Sequence, residues 1–425
     1  MLPMSDLQMS AAPPSVWSRM QSGILALLGL LVFVLPPALG DIGTALILGL
    51  AAILGVGFLA RAVKNPANPD IVSSMFIAAF CLMAIAFIAS AQVPGDIRFA
   101  LNFTPLLLAL PVLHLLGNES SADFTRIAIL AGCGAVLAAA IACFQIYVLD
   151  RSRAGSHIIN AIHFSNVSIT LGLFSLSGVL LVRERFAVIF LAPLGCAVLA
   201  CVLAASRGPL LAIAAVLPLF LIVSIFHSKR LALFLAIAIV VVAIVGIAAL
   251  EALAPGQLAR VQNMITVIPD ALFRWDTEDT STNIRLGLIR AGLEAFKDAP
   301  WFGHGWGSII SATHPHMGDW LFSRAEGFDY LHNEPLDFAV GAGVPGVVAY
   351  ILILLAPLAG VLSFSRDRYF LARLYLAIML AVSFFVFGLT SRLLGQALQL
   401  TLFAFLTAYV VGYARSVAQH DRSDR

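Results

Sequence analysis

An arginine stands between two apolar runs, in the stretch Ala205-Ser206-Arg207-Gly208-Pro209. A charge at such a place is costly unless it finds a partner. The planar guanidinium of Arg207 can bind a phosphate group through two parallel, charge-assisted hydrogen bonds. Arg207 is therefore a candidate phosphate ligand, and the alternative is an arginine that snorkels to the lipid headgroups.

A second arginine, Arg285, lies near the start of a predicted helix. Ser281 and Thr282 offer N-caps for a helix over residues 283–298, which ends at Ala299-Pro300. The free backbone N–H groups of a first helical turn attract anions. Arg285 and that turn could therefore face one anion together, and the alternative is an exposed helix arginine.

A histidine, His332, lies where the chain enters a long apolar segment. Asn333 can cap the helix that begins there, and Pro335 fits its first turn. The positive end of the helix dipole disfavours a protonated ring, which favours a neutral base. His332 is therefore a candidate general base, and the alternative is a structural histidine at the membrane interface.

Two further stretches of this region predict loop structure. The run Gly303-His304-Gly305-Trp306-Gly307 indicates a tight turn whose backbone approaches a neighbour. It lacks the preceding strand and the Lys-Ser/Thr ending of a nucleotide-binding loop. His314 and His316 flank Pro315, but two histidines without a carboxylate at ligand spacing do not indicate a metal site.

Apolar helices must position these side chains. The chain is 60% hydrophobic and only 11% charged, with a mean hydropathy of +0.97 over 425 residues. Continuous apolar runs of about 20 residues predict transmembrane helices and exclude a β-barrel, whose strands alternate. The fold is therefore predicted to be all-α, with twelve membrane helices at residues 23–39, 42–60, 71–90, 99–116, 126–148, 161–182, 186–204, 208–226, 231–250, 336–360, 370–389 and 393–413.

The distribution of Lys and Arg predicts that both termini are cytoplasmic. One set of alternate connections carries fourteen of these residues, and the short connections of the other set carry five. This places a large loop, residues 251–333, on the extracytoplasmic side, and a loop of that length is expected to be functional. The predicted organisation is nine helices in 1–250, this loop, three helices in 334–414, and a cytoplasmic tail at 415–425.

The helix predicted inside the loop is amphipathic. Its apolar residues recur at intervals of three and four, which places them on one stripe. The stripe indicates a helix that lies on the bundle or membrane surface. It consists of Leu286, Ile289, Leu293 and Phe296.

Taken together and in this order, the motifs resemble the O-antigen ligase and polymerase superfamily, membrane glycosyltransferases that use polyprenyl-diphosphate-linked glycans. The resemblance covers the chain loosely and concentrates between residues 205 and 350. A large loop before the last three helices also fits. The matching segments are Ser206-Arg207-Gly208, the Arg285 helix with Pro300-Trp301-Phe302-Gly303-His304-Gly305, and His332-Asn333 with Gly343-Val344-Pro345-Gly346.

The resemblance implies a GT-C-like fold and a role in lipopolysaccharide biosynthesis at the periplasmic face of the bacterial inner membrane. A glycan would pass from undecaprenyl diphosphate to a sugar hydroxyl on a lipid A core or a growing polysaccharide. No metal, other cofactor or nucleic acid is implied, and the partners are donor, acceptor and membrane lipid. Arg207 and Arg285 would bind the diphosphate and His332 would act on the acceptor. The residues do not separate a ligase from a polymerase.

Two other classes of function remain. A secondary transporter often has about twelve membrane helices, but it usually shows two similar halves. Here nine predicted helices precede the large loop and three follow it, and intramembrane carboxylates suited to proton coupling are nearly absent. A non-catalytic membrane scaffold would tolerate replacement of the arginines and the histidine.

Overall fold

Helices are the only regular secondary structure in the part of the chain that the structure, a computed structural model, describes: residues 16–64, 70–118, 123–155, 159–253, 280–325 and 327–423. The predicted all-α class is confirmed. Short 3-10 and π segments extend or join several of the helices. The α-helices are α1 Val16–Phe33, α2 Pro36–Lys64, α3 Ile71–Ser90, α4 Thr104–Leu116, α5 Phe124–Cys143, α6 Ala161–Ser175, α7 Glu184–Ala187, α8 Ala192–Leu203, α9 Gly208–His227, α10 Lys229–Leu253, α11 Thr280–Asp298, α12 Ile309–Thr313, α13 Asp319–Ala325, α14 Glu334–Leu362, α15 Phe370–Gly388 and α16 Ala397–Ser423.

Each of the twelve predicted segments overlaps one of these helices, although α1 ends at Phe33, so the end of the first segment, 23–39, falls in α2. Within the described residues, nine helical stretches are long and apolar enough to cross a membrane, which identifies a polytopic membrane protein. Two predicted segments correspond to shorter apolar helices, Met20–Phe33 and Val188–Leu203. Another corresponds to α10, so the number of twelve crossings stays a prediction.

The interior of the bundle is built around α6 and α16, which are buried on almost all sides. Two tyrosines link distant helices there, because a buried hydroxyl group needs an acceptor. Tyr375 donates a hydrogen bond to the Leu173 carbonyl at 2.6 Å, and Tyr409 donates one to the Leu25 carbonyl at 2.8 Å. These bonds fix α15 and α16 against the N-terminal half of the chain.

Several helix termini meet at one end of the bundle, which we call the site end. The start of α9 lies against the residues after α15, and the first residue of α14 bonds the turn before α16. The opposite end carries a separate polar cluster, in which Arg415 Nη1 and His114 Nδ1 are 2.9 Å apart. In that cluster the Asp70 carboxylate is 3.5 Å from His114 Nε2.

The segment after α11 runs along a break in α14, as the glycine-rich stretch predicts. Gly343 interrupts α14 with φ 63°, and Gly303 opposite it has φ 71°. A Cβ on Gly303 would lie 2.5 Å from the Ala342 amide nitrogen, so only glycine fits this approach. Backbone hydrogen bonds join the two segments: Val344 N–H to Pro300 O, 2.8 Å; His304 N–H to Val340 O, 2.8 Å; Gly305 N–H to Gly341 O, 3.2 Å.

The predicted start and face of the loop helix differ from those of α11. The described helix already includes Thr280, so Ser281 and Thr282 lie in its first turn and do not precede it. Leu293, from the predicted apolar stripe, is 44% exposed. Small side chains determine the buried face because α11 packs very close to the start of α14. The fully buried residues are Leu288, Ala291, Gly292 and Ala295.

Candidate functional site

His332 lies at the site end, immediately before α14. The Asn333 side chain caps this helix by accepting a hydrogen bond from Leu336 N–H at 3.2 Å, and Pro335 lies in the first turn, as predicted. The backbone of His332 has φ 55°, in the left-handed region that residues other than glycine rarely adopt. Such a conformation costs on the order of 1–3 kcal/mol and persists only where the surroundings enforce it.

The surroundings of His332 favour a neutral ring. Burial, and after it the nearby positive charge of Arg285, lower the pKa of His332 to about 4. A hydrogen bond with the Thr390 backbone acts in the opposite direction, and Arg392 contributes a smaller lowering. Burial is therefore the main cause, whereas the sequence suggested the helix dipole. At neutral pH the ring can accept a proton.

Arg285 is brought to His332 by the close packing of α11 on the start of α14. A Cβ on Gly292 would lie 2.7 Å from both Leu331 and Leu336, so glycine permits this approach. Because α11 includes Thr280, Arg285 stands in the second turn or later. The predicted location of Arg285 in the first turn, beside free N–H groups, is therefore wrong.

Arg207 reaches the same end of the bundle from α9. It directly precedes Gly208, and a Cβ on Gly208 would lie 2.5 Å from Thr390 Oγ1. The Thr390 backbone bonds the His332 ring, so a short chain of contacts connects the start of α9 to the histidine. Arg207 is partly exposed, and its side chain makes no hydrogen bond or ion pair with another described residue. Its guanidinium is therefore available to a ligand.

Three charged residues of this site were not singled out from the sequence as candidates. Arg392, between α15 and α16, lies 3.2 Å from the fully buried Asp337 carboxylate, measured from Nε to Oδ2. Glu334, also fully buried, accepts hydrogen bonds from Leu393 N–H at 2.7 Å and Gly395 N–H at 3.0 Å. The two carboxylates are three residues apart on α14, so both face the turn before α16.

The remaining histidines of the loop have separate neighbours. His316 Nε2 lies 2.7 Å from Asp298 Oδ2, and the ring of His314 packs edge-on to Phe322. In the described ranges, no group of three or more His, Cys, Asp or Glu side chains is placed to hold a metal ion. A site that combines arginines with a neutral histidine can bind an anionic group and accept a proton.

Comparison with known proteins gives two matches. The family model described as O-antigen ligase (Wzy_C) matches residues 192–351, which include Arg207, Arg285 and His332. An uncharacterized protein of Haemophilus influenzae is 24% identical over 289 residues, which cover 66% of this chain and 71% of the relative. Over residues 192–351 the family match confirms the resemblance to the O-antigen ligase and polymerase superfamily that was predicted from the sequence.

Proposed function

We propose that this protein transfers a glycan from undecaprenyl diphosphate to a sugar hydroxyl, as an O-antigen ligase acting on a lipid A core. The alternative within the same superfamily is a polymerase that extends O-antigen or exopolysaccharide. The family match supports ligase- or polymerase-type glycosyl transfer in general. We also propose the identity of the donor and of the acceptor, a reaction that needs no metal, and a site at the periplasmic face of the inner membrane. The domain boundaries are proposed as well: residues 1–250, 251–333, 334–414 and 415–425.

One observation carries this proposal: a neutral histidine lies close to Arg285 at the site end, and Arg207 lies at the same end of the bundle. Arg285 lies close enough to His332 to lower its pKa, and Arg207 lies next to the contact between Gly208 and Thr390. Arg207 and Arg285 would hold the donor diphosphate through bidentate hydrogen bonds. Their charges would also stabilise the negative charge that develops on the leaving diphosphate.

His332 would act on the acceptor. A sugar hydroxyl is a poor acid, so a base is needed only while the glycosidic bond forms and the bond to diphosphate breaks. A neutral imidazole can accept the hydroxyl proton at that moment. The proton then resides on His332, and the diphosphate leaves with the electron pair of the broken bond.

A deletion strain examined for surface polysaccharide tests the proposed reaction. Loss of core-linked O-antigen, with polymer retained on the carrier, is the result expected for a ligase. Accumulation of single repeats would replace the ligase by the polymerase. An unchanged glycan profile would overturn both.

Complementation of the same strain tests the two arginines. Arg207→Ala and Arg285→Ala should fail to restore the glycan although both insert normally in the membrane, because each removes a diphosphate ligand. Arg290→Ala is the matched control, since Arg290 is an exposed arginine on the same helix as Arg285. Full complementation by either of the first two variants would remove that residue from the site.

A further inference from the structure

We propose that Asp337 and Arg392 form a positioning pair, which holds the loop of residues 329–332 in the conformation that presents His332. The inference rests on the proposed function, in which His332 is the base. Arg392 lies outside the residues that match the family model. Neither residue is proposed to touch the substrate, since each is already engaged by the protein.

The Asp337 carboxylate connects two separate segments. Oδ1 accepts a hydrogen bond from Leu331 N–H at 2.9 Å, and Oδ2 lies 3.2 Å from Arg392 Nε. Asp337 is fully buried, so water does not compete for either oxygen. One side chain thereby fixes the residue before His332 and also fixes Arg392.

Arg392 contacts residues 329 and 330 of the same loop. Its Nη2 donates a hydrogen bond to the Asp329 carbonyl at 3.4 Å. The guanidinium also stacks on Tyr330, 5.0 Å from the ring centroid, and on Trp306 at 4.8 Å. Only 7% of Arg392 is exposed, so the side chain is enclosed between the loop and Trp306.

The contacts surround the one strained residue of the loop. Residues 329, 330 and 331 are held by Arg392 and Asp337, and Asn333 is held by its cap on α14. His332 lies between these anchors with φ 55°. A left-handed histidine relaxes to an ordinary conformation when its anchors are lost. The imidazole would then move away from Thr390 and Arg285.

A contribution to folding stability does not by itself explain the buried pair of Asp337 and Arg392. Burying two charges is costly, and apolar replacements of similar size are often as stable or more stable. A buried ion pair does, however, impose a definite geometry on the segments it joins. Here those segments are the loop that carries His332 and the turn that contains Thr390, both of which contribute to the site.

The test uses the full-length protein in detergent and compares Asp337→Asn with wild type. The amide oxygen of Asn can still accept from Leu331 N–H, but the charge that holds Arg392 is lost. We expect kcat for glycan transfer to fall about 10- to 100-fold, the effect of misplacing a reacting group by roughly 1 Å. The KM for the donor should change little, because the diphosphate ligands remain. A wild-type kcat would overturn the proposal.

A second pair of residues provides a matched control. Asp367, just before α15, and the buried Arg373, in its first turn, form another ion pair that is largely shielded from solvent and lies away from the site end. Asp367→Asn should lower the thermal midpoint of unfolding while kcat stays at the wild-type value. If Asp367→Asn and Asp337→Asn reduce kcat equally, loss of a buried ion pair explains the effect and the positioning role is refuted.

A readout independent of activity separates this proposal from the proposed function. Diethyl pyrocarbonate modifies accessible neutral histidines, and mass spectrometry of peptides measures its rate at His332. Faster modification in Asp337→Asn, but not in Asp367→Asn, is expected when the ring leaves its place. An unchanged rate refutes the positioning role even if transfer is observed. Absence of transfer by wild type, with faster labelling in Asp337→Asn, refutes the proposed function alone.

Discussion

Replacing Gly303 by alanine should loosen the attachment of the loop to α14 and weaken donor binding. Gly303 lies in the segment that follows α11, the helix that carries Arg285, and it faces the break in α14. A shift of this segment therefore changes the position of Arg285 relative to His332. The expected functional result is a higher donor KM, and the expected structural result is lower stability.

The magnitude follows from two separate costs. A Cβ in a left-handed conformation costs about 1–2 kcal/mol. The new atom would also lie 2.5 Å from Ala342 N and 2.6 Å from Val340 O, both backbone atoms that a side-chain rotation cannot move away. Overpacking of this kind typically costs about 1–3 kcal/mol. The sum is about 2–5 kcal/mol.

Two other glycines of the same loop separate these costs. Gly327 has φ 90°, but a Cβ added there would have no heavy atom within 4 Å, so Gly327→Ala carries the conformational cost alone. Gly318 has neither a positive φ nor a close neighbour, so Gly318→Ala should resemble wild type. In one detergent, the thermal midpoint of unfolding should be highest for Gly318→Ala, lower for Gly327→Ala and lowest for Gly303→Ala. If Gly303→Ala is no less stable than Gly327→Ala, the close backbone approach does not exist as described.

Three further predictions concern the site. His332→Ala should bind donor almost as wild type does, while single-turnover transfer falls about 10²- to 10⁴-fold; poor donor binding with normal transfer at saturation would make His332 a donor ligand. Because the pKa of His332 is lowered to about 4, the base is neutral above that value, so kcat should be level from pH 8 to pH 5 and fall as pH drops through about 4. A fall already near pH 6.5 would indicate a ring that is not buried as described. Gly208→Ala should reduce activity because its Cβ would lie 2.5 Å from Thr390 Oγ1, and adding Thr390→Ala should restore part of the lost activity. If transfer assays show no recovery in the double variant, the contact between these two residues is unimportant.

Features that depend on local sequence were predictable. Every apolar segment that was predicted to be helical overlaps a helix, because continuous burial in apolar surroundings requires internally bonded backbone. The Asn333 cap and the close approach at Gly303 were predictable for the same reason. Caps and glycine turns are formed by neighbouring residues and their backbone.

Features that depend on the packing of distant segments were missed. Arg392 and Asp337 are 55 residues apart, and nothing in either local sequence indicates that they form a pair. The buried face of α11 was predicted only in part: Ile289 and Phe296 of the predicted stripe pack against the core, but Leu293 does not. In the structure Gly292 and its small neighbours allow contact with Leu331 and Leu336, which leaves Leu293 outside. The apolar stripe of a helix identifies its buried face only when the packing distance is ordinary.

The hydrogen bonds between residues 300–305 and the break in α14 join main-chain atoms on both sides. Such a joint depends on chain length and on Gly303 and Gly343 more than on the identity of the other side chains. Loops from related proteins could therefore be exchanged at this joint, provided that both glycines and the residue count between them are kept. The joint is therefore a suitable fusion point for chimaeras in which the loop is changed and the membrane bundle is retained.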